Sequence, residues 1–504
     1  MQTTTNQAPL KLNIKRTCII GFAFFGILLL WQIYDSWCPT FLTELFGKAI
    51  YGQEQWIIAR NLSIMKPKEN IQEVKDVQYL VGIMMAIDNL AALILLPIFG
   101  NLSDKTHTKI GKRMPYIIVG TLVSAISFPF IPILFHYNSL VGTLLMMFIV
   151  VIFMMMYRNP AVALMPDITP KPLRSKANGI INIMGYIGGA CATFVGMGFV
   201  LSQYLGTKVV VDKVTGVKSF AEHTWAYQNI WAIEAPFLIA SVLMVISAVV
   251  LIIKVNENKI AIEVKDEMAR GELEAEVVDK VEEDKPMTKG NLTMLILILG
   301  AVFFWFMADN GIGTFMGNYT IYYLGADSSS SMINTIVGGV GSVIGFAVGG
   351  FIAAKIGRKW TIVSGLSMTI GSYLLWAILT FTVLKNAAGG GTFPWVIYVI
   401  FGIKGFGMSL VHLNSFPMVV ELCPNKRIGK FTGYYYAASM AAQTITPIAL
   451  GLLLKNPTFN FGYLPVYALV CAGVALLIFM FVKSVKLNKT KISTGLEALG
   501  ENDD

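Results

Sequence analysis

The sequence predicts an all-α polytopic membrane protein of twelve transmembrane helices, built as two six-helix halves that repeat one another. Three observations predict it. Hydrophobic residues make up 55% of the 504 residues and charged residues 14%, whereas a soluble chain is about 45–50% apolar and about 25% charged. The apolar residues gather in runs long enough to cross a bilayer core, which takes roughly 20 residues of helix. Short motifs also recur between the two halves of the chain at constant offsets.

The runs lie near 17–42, 79–100, 115–136, 139–164, 176–202, 229–253, 291–324, 332–354, 360–384, 394–420, 430–454 and 464–483. In hydrocarbon every backbone polar group needs an internal partner, so each run should be a helix. The first is long enough to stay as a span, and the polar segment before it does not read as a cleavable signal. The loop after it balances Lys48, Arg60, Lys66, Lys68 and Lys75 against Glu44, Glu54, Glu69, Glu73 and Asp76. Between the second and third runs stands GNLSDKTHTKIGKRMP, Gly100 to Pro115, with one acid (Asp104) and a basic cluster. Between the sixth and seventh, 255–290 is crowded with charge and reads as a solvated linker, helical in part. It separates an N-terminal bundle (1–254) from a C-terminal bundle with its tail (291–504). The seventh and tenth runs exceed the length a span needs, so a tilt or break is expected in them. Glycine-rich stretches such as GGVGSVIGFAVGG read as close helix packing.

The net charge of +9 does not point to nucleic acid, because of where it sits. Basic residues collect in alternate loops: Lys11, Lys15 and Arg16; Lys105 to Arg113; Lys171, Arg174 and Lys176; Lys355, Arg358 and Lys359; Lys426, Arg427 and Lys430; Lys483, Lys486 and Lys489. With twelve spans these share one side. The positive-inside pattern then puts both termini in the cytoplasm. Trp37, Trp56, Trp225, Trp231 and Trp395 fit an interfacial aromatic belt. The five cysteines, Cys18, Cys38, Cys191, Cys423 and Cys471, have no metal-site or disulfide spacing. The short termini and loops suggest a bacterial inner membrane, and a bundle of this kind needs no second copy, so a monomer is expected.

The repeat is visible in three places. Gly26, Trp31 and Asp35 of GILLLWQIYD match Gly300, Trp305 and Asp309 of GAVFFWFMAD. The GKR at Gly111 to Arg113 matches the GRK at Gly357 to Lys359. Asp167, Pro170 and Gly179 match Glu421, Pro424 and Gly433. Two repeated six-helix halves imply a substrate site near the midplane, between bundles that open alternately to either side.

The Gly100–Pro115 segment resembles the loop between helices 2 and 3 of major facilitator transporters. Its form G-x-x-S-D-…-G-K-R-x-P resembles more specifically the glycoside–pentoside–hexuronide:cation symporters and their sucrose-transporter relatives. RNPAVALMPDITPKPLRSKANGIINIMG, Arg158 to Gly185, is similar to the sucrose-type junction between helices 4 and 5 at Pro160, Asp167, Arg174, Ala177, Asn178 and Gly179. The resemblance implies a major facilitator fold and uptake of glycosides, often disaccharides, driven by a proton or sodium gradient. Three positions depart from it. Ala92 and Leu96 stand where melibiose-type members carry acids in helix 2, and Val151 stands where plant sucrose-type members carry one in helix 4.

Ionisable residues inside spans are costly and ask for a function. Asp35, Asp88 and Asp309 therefore take the expected ion-coupling role, with H+ or Na+ as the coupling ion and no other cofactor. A buried ion pair that fixes packing, such as Asp309 with Lys404, is the structural counter-reading. Glu234 reads as interfacial and His412 as a packing histidine. A sugar needs many hydrogen bonds and a flat apolar face. The expected substrate-binding set is Trp31, Gln32, Tyr34, Asn89, Arg158, Asn159, Trp305, Asn310, Lys404 and Asn414, with Asn182, Asn318 and Gln443 as further amides. Gly100, Asp104, Gly111, Lys112, Arg113, Asp167 and Arg174 form the expected cytoplasmic gate, with Asp104 facing the other bundle. The function read from these features is import of a glycoside with a cation, H+ first. The alternatives are a proton-coupled exporter of amphipathic compounds and a non-transporting membrane sensor. No nucleophile–base pair, metal cluster or nucleotide loop suggests an enzyme.

Overall fold

The computed structural model describes residues 10–66, 71–212, 214–221, 231–281, 289–384, 393–422 and 428–483. Lys68, Glu69, Trp225, 282–288 of the linker, Cys423, Pro424, Lys426, Arg427, Lys486 and Lys489 lie outside them. Among the described residues twelve helices are long and apolar enough to cross a membrane. We number them as spans: 1 (Ile14–Tyr51), 2 (Gln72–Asp104), 3 (Met114–His136), 4 (Leu140–Asp167), 5 (Lys176–Leu205), 6 (Ala232–Lys254), 7 (Lys289–Tyr323), 8 (Ser329–Ile356), 9 (Arg358–Leu384), 10 (Trp395–Val419), 11 (Phe431–Lys455) and 12 (Phe461–Met480). Each coincides with one apolar run of the sequence. Span 7 finishes in a π-helical turn, Tyr319–Tyr323.

Packing follows the small residues. Without water to drive helices together, close van der Waals contact and interhelical hydrogen bonds hold them. Span 1 lies along spans 5 and 6, span 3 along span 4, and span 2 also meets span 4. Later in the chain span 7 lies along 11 and 12, span 8 along 10, and span 9 along 10 and 12. The GGVGSVIGFAVGG stretch supplies one such seam: a Cβ at Gly341 would overlap the Gly402 carbonyl, and one at Gly345 would overlap Ser409. Three contacts join early and late spans. Span 2 runs along span 11, span 5 meets span 8, and span 1 meets span 7. Gly82 of span 2 lies against the Pro447 backbone, and Gly451 of span 11 against that of Gln78. Large apolar side chains such as Phe148, Ile253, Ile344 and Phe351 stay exposed along the spans, as a lipid-facing surface requires.

Two elements were not foreseen. A helix, Gln53–Met65, follows span 1 after a turn at Gly52. A two-stranded hairpin, β1 (Val209–Val211) with β2 (Lys218–Phe220), joins spans 5 and 6 in antiparallel register, Val209 opposite Phe220. Strands of three residues leave no periodicity to read. The hairpin turn is tied by the Asp212 carboxylate, which accepts from the Val214 and Thr215 amides at 2.7 and 3.1 Å. Those amide bonds hold the Asp212 carboxyl below the usual carboxylate range. The described linker residues form two helices, Glu257–Glu263 and Lys265–Val281.

Candidate functional site

Span 1 is enclosed by its neighbours over most of its length. Between Thr17 and Gly47 the only exposed residue is Asp35. An acid that is the single accessible position of an enclosed helix opens onto space inside the bundle, not onto lipid. Asp88 of span 2 lies within electrostatic reach of both Asp35 and Tyr34. The Asp88 Oδ2, the Tyr34 hydroxyl and the Trp31 Nε1 are all buried without a hydrogen-bond partner. Trp31 and Tyr34 meet edge to face, with ring centroids 5.4 Å apart. Neither Asp35 nor Asp88 forms a salt bridge with any described cation. Gln32, one turn before Ser36, donates to its hydroxyl at 3.3 Å. Asn89 reaches across to span 11 and donates to the Gln443 carbonyl at 3.3 Å. Arg158 of span 4 is exposed and makes no hydrogen bond or ion pair among the described residues.

The repeated position behaves differently. Asp309 of span 7 pairs with the Lys404 ammonium of span 10, and His412 and Tyr373 lie within electrostatic reach of it. Thus of the two acids matched by the repeat, one is unpaired and one is neutralised. The repeat explains this: Val150 occupies the place in span 4 that Lys404 occupies in span 10. Asp309 is therefore engaged by Lys404 in this conformation, the pairing that the counter-reading named. Beside it the Asn310 Oδ1 is buried without a partner.

Three of the expected substrate residues turn out to be engaged in packing. Trp305 is 0% exposed in an apolar cluster with Ile298, Val302 and Ile362, its ring tilted against Phe479 of span 12. The repeat matched it to Trp31 but could not show which way each ring faces. Asn159 donates to the Leu96 carbonyl of span 2, at the close approach of Gly100. Asn414 donates to the Leu410 carbonyl of its own helix at 2.9 Å and is buried. Trp305→Ala should consequently act on stability. Large-to-small changes at buried tryptophan cost about 3–5 kcal/mol, so a lowered melting temperature in detergent with substrate affinity unchanged is expected. Weakened affinity with unchanged melting would return Trp305 to the cavity.

The expected gate residues converge at one end of the bundle, which we call the Arg113 end. Arg113 is 5% exposed. Its guanidinium pairs with Asp104, with Asp167 Oδ2 at 2.9 Å and with the Ser103 hydroxyl at 2.6 Å. Lys112 adds a 3.0 Å pair to Asp167. Gly111 takes φ +121° and its repeat partner Gly357 takes +85°, a region that favours glycine. A side chain at Gly111 would also collide with Glu257 of the linker. Glu257 caps the start of span 3, accepting from the Arg113 amide at 2.9 Å. Arg174 donates to the Pro166 and Thr169 carbonyls, closing the end of span 4. Asp104 thus binds Arg113 within the same six spans in this conformation. Nothing in the charged linker marks Glu257 out as a member of this cluster.

At the opposite, Glu44 end the early and late spans are fastened together. Asn318 of span 7 accepts from Thr40 at 2.9 Å and donates to Thr43 at 3.0 Å and Gln78 at 3.1 Å. Asn318 therefore belongs to this seam and not beside Asp309. Glu44, 0% exposed, accepts from Tyr322, Trp56 and Arg60 at 2.8, 2.9 and 3.1 Å. Ser202 and Ser328 exchange bonds, and Lys208 pairs with Asp327 at 3.1 Å. The protein is closed at the Glu44 end, while among the described residues the Arg113 cluster bonds to no late span.

The Major Facilitator Superfamily profile matches residues 20–418 and 298–499. No curated protein matches the chain in sequence. Among solved structures the chain is similar to a POT family transporter in complex with 5-aminolevulinic acid, at TM-score 0.58 and 13% identity over 93% of this chain and 95% of that one. It is similar to the nucleoside transporter NupG at TM-score 0.57 and 12% identity, over 93% and 100% of the two chains. It is also similar to the xylose transporter XylE from E. coli in a partially occluded inward open conformation, at TM-score 0.56 and 14% identity, over 94% and 99%. At such identities the likeness is one of fold.

Proposed function

The chain belongs to the major facilitator superfamily, and on that premise we propose that it imports a glycoside together with a proton by alternating access. It is a transport protein and not an enzyme. In this reading residues 1–254 and 291–504 are the two moving bundles and 255–290 joins them. The Arg113 end is cytoplasmic, so the conformation described above faces inward, in the cell membrane and as a monomer. The resemblance of the loop and junction motifs to those of the glycoside–cation symporters supports this reading.

The observation that carries the reading is the acid couple, an accessible Asp35 with Asp88 near it beside Trp31 and Tyr34, neither acid paired with a described cation. Two carboxylates within reach of each other in a bundle interior repel unless a positive charge is held between them. A proton taken up there offsets the repulsion, and its release on the other side returns the site to its starting charge. The partly exposed Trp31 ring suits the apolar side of a sugar ring, and the Gln32 amide beside it suits its hydroxyls. Asp309 paired with Lys404 keeps the opposite wall polar but neutral.

The test is external pH in a lightly buffered suspension of energy-depleted cells expressing the protein, with disaccharides and monosaccharides added in turn. Alkalinisation with one sugar, absent from vector-only cells, is the expected result. Labelled sugar entry without a pH change would replace the proton by sodium or by no ion. No entry at all would favour export of amphipathic compounds.

A further inference from the structure

Lys75 opens span 2 at the Glu44 end and is 3% exposed. An ammonium has three donors and no acceptor, and all three are used by one turn of the other half. Lys75 donates to the carbonyls of Asn456 at 3.2 Å, Pro457 at 3.0 Å and Phe459 at 3.0 Å. No carboxylate among the described residues lies within ion-pair distance of it. One turn earlier Gln72 donates to the Lys455 carbonyl at 2.6 Å. Span 11 ends at Lys455, and the last carbonyls of a helix have no intrahelical partner and form the negative end of its dipole. They are usually met by the helix's own continuation or by water. Here Gln72 of span 2 meets the last of them, and Lys75 meets the carbonyls of the turn just beyond the helix, both across the seam between early and late spans.

The capping segment is itself held rigidly. Asp76 accepts from Tyr51 at 3.0 Å and from Gln72 at 2.7 Å, which fixes Lys75 to the end of span 1. The Lys455 ammonium in turn lies 4.3 Å from the Tyr79 ring of span 2. The contact is charge-assisted, directional and easily reversed. If the seam parts, the ammonium and the three carbonyls are each rehydrated, and neither side is left with a buried orphan.

We propose that Lys75 is the latch of the Glu44 end. It binds the turn that follows span 11 only while this end is closed, and so sets the resting preference of the protein for the conformation closed here. The Asn318 cluster seals the seam by fit and neutral hydrogen bonds; beside the Lys208–Asp327 pair and the Tyr322–Glu44 bond, Lys75 adds a further charged contact whose loss shifts the balance. The inference rests on the alternating-access reading above and is independent of the sugar and the ion.

The test uses full-length protein in lipid vesicles, with serine replacing Cys18, Cys38, Cys191, Cys423 and Cys471. Spin labels are attached at Ile58→Cys and Thr458→Cys, exposed positions on either side of the seam. One short label-to-label distance is expected in that background. Lys75→Met should raise the ratio of a longer to the short distance at least tenfold, and Gln72→Ala should raise it less. An unchanged distribution in Lys75→Met overturns the latch. If Lys75→Met fails to fold, an unchanged distribution in Gln72→Ala overturns the cross-seam cap instead. Asn318→Ala separates the two layers of inference. If it lengthens the distance while Lys75→Met does not, the latch falls and alternating access stands. If no variant separates the labels, both fall.

Discussion

Asp88→Asn is expected to collapse gradient-driven sugar accumulation to equilibrium while leaving sugar exchange across the membrane intact. The expected size follows from the driving force. One charge moved through 100 mV is worth about 2.3 kcal/mol, and 1.4 kcal/mol is a factor of ten. A one-proton symporter at that potential therefore concentrates its sugar roughly 40-fold, and an uncoupled one does not concentrate it at all. The reason to choose Asp88 is its environment. Its Oδ2 is buried with no partner, near Tyr34 and Asp35 and bridged to no cation. A carboxylate left unpaired in a membrane interior works against folding, and an ion cycle gives it a function. Asp35→Asn should have the same effect if the couple holds the proton jointly. Counterflow of labelled sugar in vesicles, beside accumulation in energised ones, separates the two activities. Accumulation retained in both variants removes the couple from the coupling role. Accumulation lost in only one assigns the ion to that residue.

The fold was legible in the sequence because a bilayer reduces the alternatives. Long apolar runs have to be helices, and the basic loops give their common side. The helix Gln53–Met65 and the hairpin were not legible. Both stand in aqueous loops, where that constraint is absent and three-residue strands carry no pattern. The acids of the candidate site were legible for a similar reason, since Asp35, Asp88 and Asp309 interrupt apolar runs. Their pairing was only half legible. The repeat made Asp35 and Asp309 look alike, and it is one lysine in span 10, opposite a valine in span 4, that makes them differ. Side-chain direction was the least legible quantity. Trp31 and Trp305 share a register, yet one lies beside the acid couple and the other is sealed against span 12. The closed seam at the Glu44 end was invisible as a unit, because Thr40, Gln78, Asn318 and Tyr322 are unremarkable alone and are brought together only by the packing of spans 1, 2 and 7.

Lys404→Ala is expected to destabilise the protein by about 3 kcal/mol, the lower part of the 3–5 kcal/mol seen when one member of a buried pair is removed. The lower part applies because the Asp309 side chain is 37% and that of Lys404 18% exposed, so water relieves part of the orphaned charge. The pair ties span 7 to span 10, two helices that otherwise share little contact. The decisive companion is the double variant Asp309→Asn with Lys404→Met. A buried ion pair replaced by neutral groups of similar volume is often neutral in stability, so the double variant should regain most of what Lys404→Ala loses. Thermal unfolding in detergent measures this. Accumulation measured on the same proteins then distinguishes the two roles open to Asp309. A double variant that is stable and still concentrates sugar makes the pair a packing device between spans 7 and 10, and leaves coupling to Asp35 and Asp88. A double variant that is stable but only equilibrates sugar would mean that Lys404 stands in for the proton in this conformation. Asp309 would then take the proton when the pair opens, and the two halves would share the ion between them.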